Sequence, residues 1–300
     1  MRSLPDALAD GGVILDGGLS TELEARGHDI GSELWSARLL RDDPAAIVAA
    51  HAAFAAAGAQ VATTASYQAT VEGFGSAGIG AAEARRLIAS SVALAREGQG
   101  DGWVAGSVGP YGAMLADGSE YTGAYASALG VAGLRAFHRP RMEILAGAGA
   151  DVLACETVPA AAEAEALIAE ADALGVPVWL SLTTLVDPRG VVRTPQGERA
   201  ADVYAMAAGV DAVVAVGVNC TAPDVVGPSI VAAAAAGKPI VAYPNSGEGW
   251  DANGRRWTGA PGISAADVPG WFAAGARLIG GCCRVRPQHV AAIAAALSGG

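Results

Sequence analysis

Eight short apolar runs alternate with eight longer alanine-rich runs, and this alternation constrains the fold more than any other feature of the chain. The apolar runs lie near residues 12–16, 60–66, 103–108, 151–156, 177–183, 212–219, 239–244 and 276–281. Stretches such as Val176-Pro177-Val178-Trp179-Leu180 are continuously apolar, the pattern of a parallel strand covered on both faces. Helices are expected between them, near 44–57, 81–97, 124–148, 160–174, 199–208, 222–236, 264–274 and 287–297. Alanine is the strongest helix former, so these segments need little amphipathic patterning. Asp43-Pro44 and Thr157-Val158-Pro159 read as helix entries with proline in the first turn. Gly58, Gly149, Gly175, Gly209, Gly237 and Gly275 stand where helices stop, each shortly before a strand.

Eight strand–helix units in 300 residues predict a (β/α)8 TIM barrel, one domain spanning residues 1–300. The competing arrangement is a doubly wound open sheet. It is disfavoured because eight repeats close naturally and no Gly-x-Gly-x-x-Gly follows the first strand. A net charge of −11, from 19 basic and 30 acidic residues, argues against nucleic-acid and anionic-membrane partners. Four cysteines are too few for a disulfide scaffold. The opening residues lack the apolar core of a signal peptide, and the most apolar windows are interrupted, for instance by His51 or Gly237-Lys238-Pro239. The expectation is a cytoplasmic protein with available thiols, as a monomer or small homo-oligomer.

In such a barrel, function gathers where strands end. Cys220 closes the sixth apolar run, and Cys282-Cys283 follow Gly280-Gly281 at the end of the eighth. Three thiolates converging on one point suit Zn²⁺, which takes tetrahedral N/S ligation and keeps one position open when catalytic. The plain alternative is three buried cysteines serving as small apolar residues. The two glycines are expected to let the chain turn, so that successive cysteines face one ion. Asp16 and Glu156 end the first and fourth runs; the alternatives are an ordinary turn and a surface carboxylate. Cys155 precedes Glu156 and so points to the opposite face, as packing. His28, His51, His138 and His289 are not at strand ends. Two long connections, Gly106 to Tyr125 and Asn245 to Gly262, carry aromatic and polar residues toward the same face.

The sequence resembles the zinc-dependent homocysteine S-methyltransferases, and their S-methylmethionine-using branch more than the betaine-using one. The matching stretches run in order along the whole chain. They are Leu15-Asp16-Gly17-Gly18-Leu19-Ser20-Thr21-Glu22, Thr63-Thr64-Ala65-Ser66-Tyr67-Gln68, Gly106-Ser107-Val108-Gly109-Pro110-Tyr111-Gly112 and Glu120-Tyr121-Thr122-Gly123. Cys155-Glu156-Thr157, Gly217-Val218-Asn219-Cys220, Tyr243-Pro244-Asn245-Ser246-Gly247-Glu248 and Gly280-Gly281-Cys282-Cys283-Arg284 complete the set. The stretch Val285-Arg286-Pro287 departs from the more usual Thr-Thr-Pro.

The resemblance implies that Cys220, Cys282 and Cys283 ligate zinc. It implies homocysteine as methyl acceptor, with its sulfur in the open position, and methionine as product. Metal binding deprotonates a coordinating thiol, which makes it the nucleophile. The donor implied is a sulfonium, S-methylmethionine or S-adenosylmethionine, already activated as a leaving group. Asp16 and Glu156 would face the acceptor's ammonium, with backbone groups of Gly17 and Gly18. Ser66, Tyr67 and Asn219 are expected at the inner rim. Tyr121, Glu120, Trp250 and Glu248 are expected to offer cation–π or carboxylate contacts to the donor. Two other readings keep the same metal site: a selenocysteine or other thiol methyltransferase, and a non-catalytic zinc- or thiol-binding barrel.

Overall fold

The computed structural model describes residues 2–30, 35–251, 256–258 and 263–298. Eight strands appear where the apolar runs predict them. They are β1 (Val13–Ile14), β2 (Val61–Thr63), β3 (Trp103–Val108), β4 (Val152–Val158), β5 (Val178–Leu182), β6 (Val213–Asn219), β7 (Ile240–Tyr243) and β8 (Ala276–Ile279). The pairing β1-β8-β7-β6-β5-β4-β3-β2 is parallel throughout, and a parallel bridge between Leu15 and Val61 joins β1 to β2 and closes the ring. The chain is a (β/α)8 barrel.

The ring of helices is α1 (Pro44–Ala56), α2 (Ala81–Gln99), α3 (Ala126–Gly147), α4 (Ala161–Leu174), α5 (Ala200–Ala205), α6 (Pro223–Ala233), α7 (Val268–Ala273) and α8 (Pro287–Ser298). Entry and exit follow sequence chemistry. The Asp43 side chain accepts the Ala46 N–H at 3.2 Å, with Pro44 in the first turn of α1. The six glycines expected to stop helices all have positive φ, from 63° to 115°, a region in which a Cβ is costly. α3 is broken at Gly130 and contains Pro140. Among the described residues, no helix is long and apolar enough to cross a membrane.

Strand alternation separates two cores. Ile14, Ala62, Val104, Leu153, Cys155, Leu180 and Val216 face the helices, while Val13, Val61, Trp103, Ala105, Ala154, Trp179, Val241 and Leu278 fill the barrel. A helix at Leu4–Asp10, which the periodicity does not predict, adds Leu4, Ala7 and Leu8 to the inner core. It stoppers the N-terminal mouth, and the Trp103 indole N–H donates to the Arg2 carbonyl at 3.1 Å. The barrel therefore opens at its C-terminal end. The inward parity that places Trp103 and Ala105 inside continues to Ser107. In the same way Ala154 leads to Glu156, and Val241 to Tyr243.

Candidate metal centre and substrate cavity

The cysteines are held by the connection that leaves β7, which lies between β6 and β8. Cys220 has φ 48° and sits in the left-handed region, a costly conformation for a residue with a Cβ. Its N–H donates to the Tyr243 carbonyl at 3.3 Å, and its own carbonyl accepts the Thr183 hydroxyl at 3.3 Å. The Cys282 N–H donates to the Pro244 carbonyl at 2.7 Å. The Cys283 N–H donates to the Asn245 side-chain oxygen at 3.2 Å, while the Asn245 N–H donates to the Thr221 carbonyl at 2.9 Å. Asn245 thus ties the Cys220 segment to the Cys282-Cys283 segment.

All three sulfurs lie within 4.8 Å of one another. Cys283 Sγ is 3.9 Å from Cys220 Sγ, and the Cys282 sulfur stands against that of Cys220, with their Cα atoms 5.6 Å apart. The set fits a soft divalent cation in two respects. Its donors are all sulfur, and burial pushes the Cys283 thiol up to about 11, so a thiolate there needs a positive charge beside it. Cys155 stays apart, in the outer core, with burial raising its thiol to about 12.

The glycines serve this site differently from the turn expected of them. Gly280 and Gly281 are not among the left-handed residues; Arg284 is, at φ 67°. What the glycines allow is close approach. A Cβ on Gly280 would meet Leu15 Cβ at 2.6 Å, and one on Gly281 would meet Val285 Cγ1 at 2.1 Å. Gly17 and Gly18 press on the same segment, where added Cβ atoms would stand 2.4 Å from the Val285 carbonyl and 2.6 Å from the Cys282 carbonyl. The Gly18 N–H donates to the Val285 carbonyl at 2.9 Å, and the Gly281 N–H to the Asp16 carbonyl at 3.0 Å.

Beside the sulfurs is a cavity whose lining includes Asp16, Tyr67, Tyr121, Glu156, Cys220 and Cys283. The Asp16 carboxylate accepts the Thr63 N–H at 2.7 Å and the Thr63 hydroxyl at 2.9 Å. Glu156 accepts from the Ser107 hydroxyl and, at 3.0 Å, from the Tyr243 hydroxyl. Having donated its proton to Glu156, Tyr243 receives from the Trp179 indole N–H at 3.0 Å and from Ser181 at 2.6 Å. Burial raises both carboxyls to about 7, against the lowering effect of these hydrogen bonds. Two buried carboxyls facing one cavity favour a cationic guest. The Tyr121 hydroxyl is 3.9 Å from Cys220 Sγ, on the same side.

Other expected residues fall elsewhere. Ser66 and Asn219 are buried and absent from the lining. Ser66 donates to the Ser107 carbonyl at 2.7 Å and shares a 2.7 Å contact with Thr64. Asn219 accepts the Thr157 N–H at 2.7 Å and donates to the Thr157 hydroxyl at 2.8 Å, which holds Thr157 at φ 60° behind Glu156. Both are braces, because their polar atoms are already committed. Glu248 bonds Ser246 and pairs with Arg284 at 3.3 Å. Glu120 is buried and outside the lining, and the side chain of Trp250 lies outside the described residues. Ser107, Tyr243, Thr63 and Asn245 went unassigned in the sequence. For Ser107 and Tyr243 a signal existed: a polar group at an inward position of a strand's last turn.

The homocysteine S-methyltransferase family model matches residues 13–297. A homocysteine S-methyltransferase of Escherichia coli (strain K12) is 45% identical over 94% of this chain and 94% of its own length. The homocysteine S-methyltransferase YbgG of Bacillus subtilis (strain 168) is 41% identical over 94% of this chain and 93% of its own. Among solved structures, the metallated form of the Escherichia coli homocysteine methyltransferase MmuM superposes with a TM-score of 0.84 at 44% identity, covering 96% of this chain and 98% of that one. With a closed barrel, three converging sulfurs and a match along nearly its whole length, the chain belongs to the homocysteine S-methyltransferase family.

Proposed function

We propose that this protein transfers a methyl group from a sulfonium donor, S-methylmethionine or S-adenosylmethionine, to the sulfur of L-homocysteine, giving methionine. The observation that carries this reading is the convergence of Cys220, Cys282 and Cys283 beside a cavity that also contains Asp16 and Glu156. A metal store has no need of two buried carboxyls next to its sulfurs. Zinc held by the three cysteines in their reduced form would supply the positive charge that keeps the acceptor sulfur deprotonated and nucleophilic.

The chain's own residues do the rest. Asp16, fixed by Thr63, and Glu156, fixed by Ser107 and Tyr243, bind the acceptor's ammonium and orient its sulfur toward the cysteines. Gly17 and Gly18 let β1 approach the Cys282-Cys283 segment closely enough to wall the cavity. Tyr67 and Tyr121 line the same cavity, and aromatic rings there favour an arriving sulfonium. A new sulfur–methyl bond forms as the sulfonium's sulfur–methyl bond breaks, and the electron pair returns to the donor sulfur. No proton moves in that step, so no general acid is required.

The test uses zinc-loaded protein with homocysteine and, in separate reactions, S-methylmethionine, S-adenosylmethionine or betaine. Methionine from a sulfonium donor is expected. No methionine from any donor would overturn the reading, and methionine from betaine alone would overturn its sulfonium half.

A further inference from the structure

Outside the barrel wall, a buried polar chain has no part in the chemistry above. Arg141 and His138 lie on α3 and Glu163 on α4, with 2%, 0% and 0% of their surface exposed. Arg141 Nη1 donates to the Tyr67 carbonyl at 3.0 Å. Its Nη2 donates to the Gly109 carbonyl and, at 3.2 Å, to His138 Nδ1. A guanidinium has no acceptor, so Nδ1 accepts and the imidazole proton sits on Nε2. That Nε2–H donates to Glu163 Oε1 at 2.9 Å. Glu163 also accepts the Tyr111 N–H at 2.7 Å and the Tyr125 hydroxyl at 2.6 Å.

The far ends of this chain all lie on the two connections that leave β2 and β3. Tyr67 is on the first, and Gly109, Tyr111 and Tyr125 are on the second. These same connections bring Tyr67 and Tyr121 to the cavity. Gly109 lies flat on Tyr67: a Cβ there would stand 2.5 Å from the Tyr67 carbonyl and 2.7 Å from its ring. The Arg141 fork holds the carbonyls of both residues at once, a geometry that a lysine's single ammonium does not reproduce. A buried charge held this way is a weak device for stability, since apolar replacement of buried charged groups is often neutral or favourable. Its worth here is the fixed spacing it imposes on two loops.

We propose that Arg141, backed by His138 and Glu163, is a positioning residue that sets the Tyr67 wall of the acceptor cavity from outside the barrel. The proposal rests on the reading of that cavity as the homocysteine site. Tyr67 is the element it acts through, so loss of Arg141 costs affinity only while the Tyr67 side chain is there to be misplaced.

The experiment is homocysteine titration of the zinc-loaded full chain by calorimetry, with zinc content and melting temperature measured on each variant. Arg141→Lys is expected to keep wild-type zinc, because the ligands stand just past β6 and β8, and to weaken homocysteine about tenfold. In the Tyr67→Ala background, which removes that wall, the same change should cost far less, a non-additivity that marks action through Tyr67. Glu163→Gln preserves shape but takes away an acceptor; it should weaken homocysteine about threefold and serves if Arg141→Lys does not fold. Wild-type affinity in both variants with only a lower melting temperature would overturn the proposal. So would losses that multiply in the double variant. If the wild type binds homocysteine but makes no methionine, the proposed reaction fails and the positioning role stands or falls on the titrations. If the wild type does not bind homocysteine, both fail.

Discussion

At the scale of single residues, the cavity's chemistry depends on groups whose charge the fold opposes. Cys220→Ala removes one of three sulfurs, and two sulfurs do not complete a tetrahedral site with one open position. The expected outcome is loss of bound zinc and of methyl transfer together, checked by elemental analysis and methionine formation; a fully active Cys220→Ala protein would refute the ligand assignment. Asp16 and Glu156 make a second prediction, through pH. Burial raises both to about 7, so each is protonated on the acid side of that value. An ammonium guest prefers the carboxylate, so binding must expel a proton wherever the group is protonated. The sign follows: the carboxylates' share of the acceptor affinity is lost as pH drops through about 7, by up to roughly tenfold per unit for each titrating group. Thiol deprotonation of the acceptor adds a slope of the same sign. Asp16→Asn isolates the carboxylate's share, because it removes one titration and should flatten the affinity–pH curve by about one proton. Identical slopes for the two proteins would exclude Asp16 from the ammonium site.

At the scale of elements, the connection after β7 links sequence-distant ligands. Asn245 reaches Cys283 with its side chain and Thr221 with its backbone. Asn245→Ala should leave the fold intact yet weaken zinc roughly 10- to 100-fold, as loss of an outer partner typically does; a chelator-competition titration measures it, and an unchanged zinc affinity would reduce Asn245 to loop packing. The barrel itself was legible because strands covered on both faces read as unbroken apolar runs and because glycines must stand where helices end in the left-handed region. Parity carried the reading to Cys155 facing out and Glu156 facing in. It stopped where residues meet through loops. Ser66 and Asn219, expected at the rim, hydrogen-bond neighbouring turns outside the cavity lining, and a strand-end hydroxyl or amide looks the same in sequence whether it meets substrate or braces a turn. The Leu4–Asp10 stopper is invisible for a different reason: in a seven-residue helix, three buried apolar side chains are too few to set a period.

At the scale of the molecule, the same three sulfurs support two incompatible states, and this ties redox chemistry to stability. The ligands follow β6 and β8 with β7 between them, so a metal bound by all three ties two staves of the barrel together across a third, in the folded state alone. Ligand binding to the native state raises stability by RT ln(1 + [L]/Kd), about 2.7 kcal/mol at a hundredfold excess over Kd. Reduced protein should therefore melt at a temperature that climbs with zinc. Oxidation would join Cys220 to Cys282, whose Cα atoms stand 5.6 Å apart, within disulfide range, and would leave Cys155 and Cys283 as thiols. A sulfur engaged in a disulfide is no longer a thiolate ligand, so the oxidised protein should release zinc, lose methyl transfer and melt at a temperature indifferent to added zinc. Thiol reductant should restore all three properties. Peptide mapping after mild oxidation checks the pairing: a Cys220–Cys282 link with Cys283 free is expected. A link between the adjacent Cys282 and Cys283, or an oxidised chain that keeps its zinc, would show that metal and disulfide do not compete for these sulfurs.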